Sequence, residues 1–155
     1  MKTRVAILAA MLLVFVGGFA SCEEKAADID TSKIDFSNIE NLYAQPLSVI
    51  QKCVQGKWKW YVEFGGVVGI SYSDSTFVDI DEDRCTIDYS DGTQQTIFFT
   101  WKRSYVDMGY ETWVMWEKER DKAFWCFHSI KNDTLGVGTP TSAFLGHGMG
   151  FARIK

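Results

Sequence analysis

Eight consecutive residues do most to limit what this chain can become. Over 57–64 the sequence alternates without a fault: Trp58, Trp60, Val62 and Phe64 share one parity, Lys57, Lys59, Tyr61 and Glu63 the other. A period of two belongs to the β-strand, which turns successive side chains to opposite faces. As a strand, the segment gives one face four large apolar groups and leaves its charges in solvent. On a helix the same residues would be scattered around the circumference. The pattern predicts a half-buried strand that ends at Gly65-Gly66.

More segments of this kind follow at short intervals. Strands are predicted over 76–80, 85–89, 93–105, 110–117, 123–130, 134–137 and 149–154. Between them Asp81-Glu82-Asp83, Ser90-Asp91-Gly92, Asp107-Met108-Gly109 and Asn132-Asp133 supply turn chemistry, and 118–122 reads as a solvated loop. Only residues 47–54 carry helical spacing, enough for one or two turns. The class is therefore all-β, about eight strands in hairpin succession. An open antiparallel sheet has two edges to protect, and closure removes both. Short, sequential connections favour an eight-stranded antiparallel up-and-down barrel over 46–155, with a short N-terminal helical turn; a two-sheet sandwich is the alternative. A chain of 155 residues, 46% hydrophobic, supports one such core.

The N-terminus reads as an address. Lys2 and Arg4 precede an apolar run over 5–16, too short to span a bilayer as a helix. Phe19-Ala20-Ser21-Cys22 then resembles the bacterial lipobox, whose cysteine is acylated with palmitate-type chains and becomes the mature N-terminus. The resemblance implies a signal peptide over 1–21 and lipidation at Cys22. Cleavage there would take the formal charge from −4 to −6, because Lys2 and Arg4 leave and no acid does. Residues 22–45 are acidic and without period, and read as a flexible tether. Acids directly after the cysteine resemble the surface-export signal of Bacteroidetes lipoproteins, which implies a lipid anchor in the outer membrane and a surface-exposed protein. The membrane is then a partner through the N-terminal lipid. The acidic balance argues against nucleic acid, which needs a basic surface.

Gly56-Lys57-Trp58, opening the first strand after a helical turn, resembles the Gly-x-Trp signature of the lipocalins and wider calycins. In that family the tryptophan closes one barrel end and a basic residue of the last strand packs across it. The resemblance assigns those roles to Trp58 and Arg153, and a guanidinium over an indole is a favourable pair. Together with Asn132-Asp133-Thr134-Leu135 late in the chain, the order of parts resembles the lipocalin-like lipoproteins of Bacteroidetes.

Residues 46–155 hold 19 aromatic side chains. Two readings stand. In the first the barrel binds a small, largely apolar ligand on walls formed by Trp58, Trp60, Val62, Phe64, Tyr89, Phe99 and Trp101, because Lys57, Lys59 and Glu63 are too costly to bury unpaired. In the second the barrel is filled by its own side chains and its outer aromatic face docks a protein partner. Residues 97–99, 113–116 and 124–127 are apolar at both parities, so part of the outer face is expected to be covered, by the helical turn, the tether or a partner.

No catalytic arrangement, metal set or cofactor motif is expected. His128 and His147 lack ligand spacing and read as structural. Cys53, Cys85 and Cys126 admit one disulfide or three buried thiols. Asp79-Ile80-Asp81-Glu82-Asp83 lacks the glycine and the distal Glu of a calcium loop and reads as a hairpin tip. The glycine-rich run 146–150 lacks the Lys-Ser/Thr of a phosphate loop and reads as a turn.

Overall fold

The computed structural model describes residues 30–65, 69–106, 109–140 and 148–155. Its elements, in chain order, are β1 (Asp35–Phe36), α1 (Ile39–Tyr43), α2 (Leu47–Val54), β2 (Gly56–Phe64), β3 (Ile70–Ile80), β4 (Arg84–Asp88), β5 (Gln94–Tyr105), β6 (Glu111–Glu117), β7 (Lys122–Lys131), β8 (Thr134–Gly138) and β9 (Gly148–Arg153). The segment over 1–29, with Cys22, lies outside the described residues, and so does His147.

From β2 to β9 every strand pairs antiparallel with the next, and β9 returns to pair with β2. The fold is all-β: eight strands in sequence order, closed into a ring. Closure satisfies the backbone groups that an open sheet would leave at its two edges. β3 begins at Ile70 rather than at 76, because Ile70 and Ser71 pair with Phe64 and Glu63. β9 starts inside the glycine-rich run read as a turn, since Gly148 and Gly150 pair with Phe64 and Val62.

One end of the ring is shut. α2 buries Ile50, Cys53 and Val54 against it, and the turns between β3 and β4 and between β7 and β8 lie at the same end. Inside, Trp58, Val78, Ile80, Cys85, Ile87, Ile97, Phe99, Met115, Phe127, Ile130, Leu135, Val137 and Phe151 belong to one buried cluster. The rings interlock edge to face: Phe99 meets Trp101 at 5.7 Å between centroids, and Trp60 meets Phe151 at 5.8 Å. Phe151 continues to Trp125 at 5.3 Å. Such offset contacts add to the burial of the rings themselves.

Residues 30–45 correct the expectation of a tether over 22–45. They carry β1 and α1, and Ile34, Leu42 and Tyr43 are buried. β1 pairs with the end of β7, Asp35 opposite Lys131 and Phe36 opposite Ile130. α1 starts at Asn38, whose side chain accepts from the backbone N–H groups of Glu40 and Asn41, satisfying donors that the helix cannot. α1 contacts β6 and β7, and Tyr43 packs edge-on against Tyr110. Val114 and Cys126, partners across β6 and β7, are fully buried. The runs that are apolar at both parities thus have a cover on β6 and β7, and the chain itself provides it.

Candidate functional site

Trp58 and Arg153 face each other where β2 meets β9. The Arg153 guanidinium carbon lies 4.1 Å from the centroid of the Trp58 ring. Its two terminal nitrogens donate to the carbonyls of Gln55 at 2.9 Å and Cys53 at 2.6 Å, which fall at the C-terminal end of α2 where carbonyls lack helical partners. The Trp58 indole N–H donates to Val54 O at 2.8 Å. Burial pulls the Arg153 guanidinium below its ordinary range, while Asp133, 3.7 Å from Nε, pulls the other way. This end is a plug, and Trp58 is fully buried in it.

Above the plug the strand β2 breaks its alternation. Trp60 pairs with Phe151 and Val62 with Gly150, so one extra residue, Tyr61, is inserted on β2. A bulge of this kind shifts the parity of everything beyond it. Phe151, the partner of Trp60, packs in the interior; Gly150, one residue earlier on β9, therefore presents the opposite face. A side chain at Gly150 would run into Val62 and Tyr61, and one at Gly148 into Phe64. Val62 and Phe64 consequently face outward, a correction to their place on the inner wall. Glu63 takes the inward parity instead.

The seven expected wall residues are thus dispersed. Trp58 and Phe99 are fully buried. Phe99 and Trp101 border a cleft of about 570 Å³ whose other walls are Leu47 and Gln51 of α2, Gln55 just after it, Glu82 and Asp83, Thr100 and Lys118. Lys118 spans that cleft to Asp83 at 2.9 Å. Trp60 and Tyr89 come together at the end of the ring opposite the plug, in a pocket of about 180 Å³ completed, among the described residues, by Glu63, Ser71, Tyr72 and Thr76. Those last four were not legible as site residues. Glu63 reaches the pocket because β2 is bulged, and Ser71 because β3 runs six residues further than its pattern indicated; Tyr72, paired with the outward-facing Val62, borders the pocket at its rim.

The pocket's polar atoms are partly committed. The Trp60 indole N–H donates to Val62 O at 3.1 Å, and the Tyr89 hydroxyl to Gln95 Oε1 at 3.0 Å. No ion pair is formed by Glu63 among the described residues. Elsewhere, His128 is half-buried with Nε2 4.0 Å from the Cys126 sulfur, and burial lowers its pKa. Cys53, Cys85 and Cys126 are buried and form no disulfide among the described residues. The Asp81–Asp83 turn is held by Asp81 N–H donating to Arg84 O and by Arg84 on the Asp81 carboxylate. Among the described residues no three His, Cys, Asp or Glu side chains converge.

No protein-family model matches the chain, and no curated protein matches it. Among solved structures the chain is similar to a lipocalin-like protein from Bacteroides uniformis, with 11% sequence identity and a TM-score of 0.46, over 66% of this chain and 99% of that one.

Proposed function

We propose that the chain is a lipoprotein, anchored in the outer membrane through acyl chains on Cys22 and exposed at the cell surface, whose barrel binds a small, largely apolar ligand and catalyses no reaction. The observation that carries ligand binding is the pocket opposite the plug, where, among the described residues, Trp60 and Tyr89 line a space above a packed interior. The packed rings below give that pocket a floor that need not rearrange on binding, which limits the entropy lost when a ligand docks. Anchoring rests on the lipobox-like Phe19-Ala20-Ser21-Cys22. Titration with fatty acids, porphyrins, bile acids and sterols, followed by tryptophan emission, tests the reading. A saturable, one-site response to at least one of them, or to an organic ammonium, that Trp60→Phe diminishes is expected; no saturable response to any of these compounds refutes it.

A second reading has its own observation. Beyond the bulge, Tyr61, Phe64, Ile70 and Tyr72 are 40%, 41%, 63% and 75% exposed on neighbouring positions of β2 and β3. Clustered exposed apolar groups mark protein contacts. A protein-docking module predicts concentration-dependent association that Ile70→Ser abolishes in sedimentation, with no ligand response.

A further inference from the structure

We infer that the head of the ligand is an organic ammonium, of the trimethylammonium kind, held in an aromatic cage at the mouth of the barrel. That head occupies the pocket already read as the ligand site, and its identity depends on that reading.

Two aromatic residues, Trp60 and Tyr89, share this pocket with the carboxylate of Glu63, and Tyr72, exposed and paired with the outward-facing Val62, stands at its rim. The donors of two of the rings are spent inside the protein, the Trp60 N–H on Val62 O and the Tyr89 O–H on Gln95. What those two side chains have left to offer is π surface. The electron-rich face of an aromatic ring attracts a cation and repels an anion, and a quaternary ammonium asks for no hydrogen-bond acceptor in return. Glu63 supplies the counter-charge. It forms no ion pair with Lys or Arg among the described residues, so a positive ligand displaces no internal partner there. A carboxylate head would instead sit against Glu63 and be disfavoured. The net charge of −4 adds a long-range attraction of the same sign.

Size agrees with this chemistry. The pocket holds about 180 Å³, roughly the share of six liquid waters, enough for a compact head and too little for a sterol or a porphyrin. An apolar body attached to the head would extend out of the mouth, past the exposed ring of Tyr72 and over Ile70. The whole ligand is then an amphiphile, apolar in most of its surface and cationic at one end.

The test uses the full chain and two probes: choline, and its uncharged carbon isostere, an alcohol of the same shape. Tryptophan emission should respond saturably to choline, and the isostere should bind about tenfold more weakly or worse. Glu63→Gln and Tyr72→Leu should each weaken choline about tenfold. Both side chains are exposed, so unchanged thermal melting separates lost binding from lost fold. Equal affinity for choline and the isostere, or full choline binding by Glu63→Gln, overturns the cationic head. A saturable response to fatty acids, bile acids, porphyrins or sterols with none to choline overturns it too, while leaving the mouth as a ligand site. No response to any of these compounds overturns both.

Discussion

Arg153 and Trp58 lie opposite each other across the seam that closes the ring, and the same guanidinium that covers the indole also caps the carbonyls at the end of α2. One side chain therefore ties the last strand, the first strand and the helix that shuts the barrel. Lysine in its place keeps the charge and loses the fork that reaches two carbonyls at once. Arg153→Lys should cost about 1–2 kcal/mol, and Trp58→Ala about 3–5 kcal/mol for the lost buried indole. Urea midpoints measure both; a silent Arg153→Lys would show that the caps contribute nothing.

Gly150 should tolerate no side chain while Val62 faces outward. A Cβ there would approach Val62 Cγ1 to 2.5 Å and Tyr61 Cζ to 2.8 Å, so Gly150→Ala should destabilise by about 1–3 kcal/mol. Val62→Ala in the same chain should recover part of that loss, and a double-mutant cycle reads the recovery as a coupling. Strict additivity would place Val62 elsewhere.

The buried thiols should be silent in the native protein. Burial, with Asp79 adding, pushes Cys85 up to about 12, and burial pushes Cys53 up to about 11 against the opposing pull of Arg153 and Lys52. At pH 8 neither supplies much thiolate, which is the reactive form. Ellman's reagent should label them only as fast as the barrel unfolds, and addition of urea should release them together. Rapid native labelling of either would contradict their burial.

Acid should loosen β1 before it loosens the barrel. The Ser37 hydroxyl and then Lys131 hold the Asp35 carboxyl down at about 2, with Lys131 Nζ 2.9 Å away. A folded-state pKa below the ordinary value of 3.8 means that this tether to β7 is intact above that value and is lost as the pH falls toward 2. Hydrogen exchange around Phe36 should accelerate in that window, and Asp35→Asn should abolish the pH step. A pH-independent exchange rate in the unaltered chain would remove Asp35 from the docking of β1.

Acylation at Cys22 predicts a change of compartment. Cys22→Ser should move the chain from the membrane fraction to the soluble fraction, since acyl chains supply the anchoring free energy at about 0.8 kcal/mol per buried methylene. Unaltered membrane partition sinks the anchor.

Strand order and class were legible because the pattern is local: alternating parity, turn residues every few positions and one short helical stretch over 47–54 together specify eight sequential strands. The bulge was not. Tyr61 carries no mark that separates a bulged residue from a paired one, and a single inserted residue sent Val62 and Phe64 outward and Glu63 inward. Buried charge was the argument for placing Glu63 outside, yet at a solvated mouth that cost is small. The docking of 30–45 left clearer traces. Asn38 followed by Glu40 is an N-cap signal, and the doubly apolar β6 and β7 called for a cover. What concealed the link is that β1 is two residues long and α1 five, below the length at which periodicity can be read.

The docking of residues 30–45 also sets how the barrel would stand relative to a membrane. Asp30 to Ile34 enter beside the β7–β8 turn, where Asn132 N–H donates to Ile34 O, which is the shut end of the ring. With Cys22 as the anchor, the chain from 22 to 30 could reach at most ~29 Å even if fully extended. That reach keeps Asp30, and with it the shut end, within ~29 Å of the lipid surface. The plugged end would be held toward the lipid surface and the mouth would look outward, away from the bilayer and into whatever the cell is bathed in.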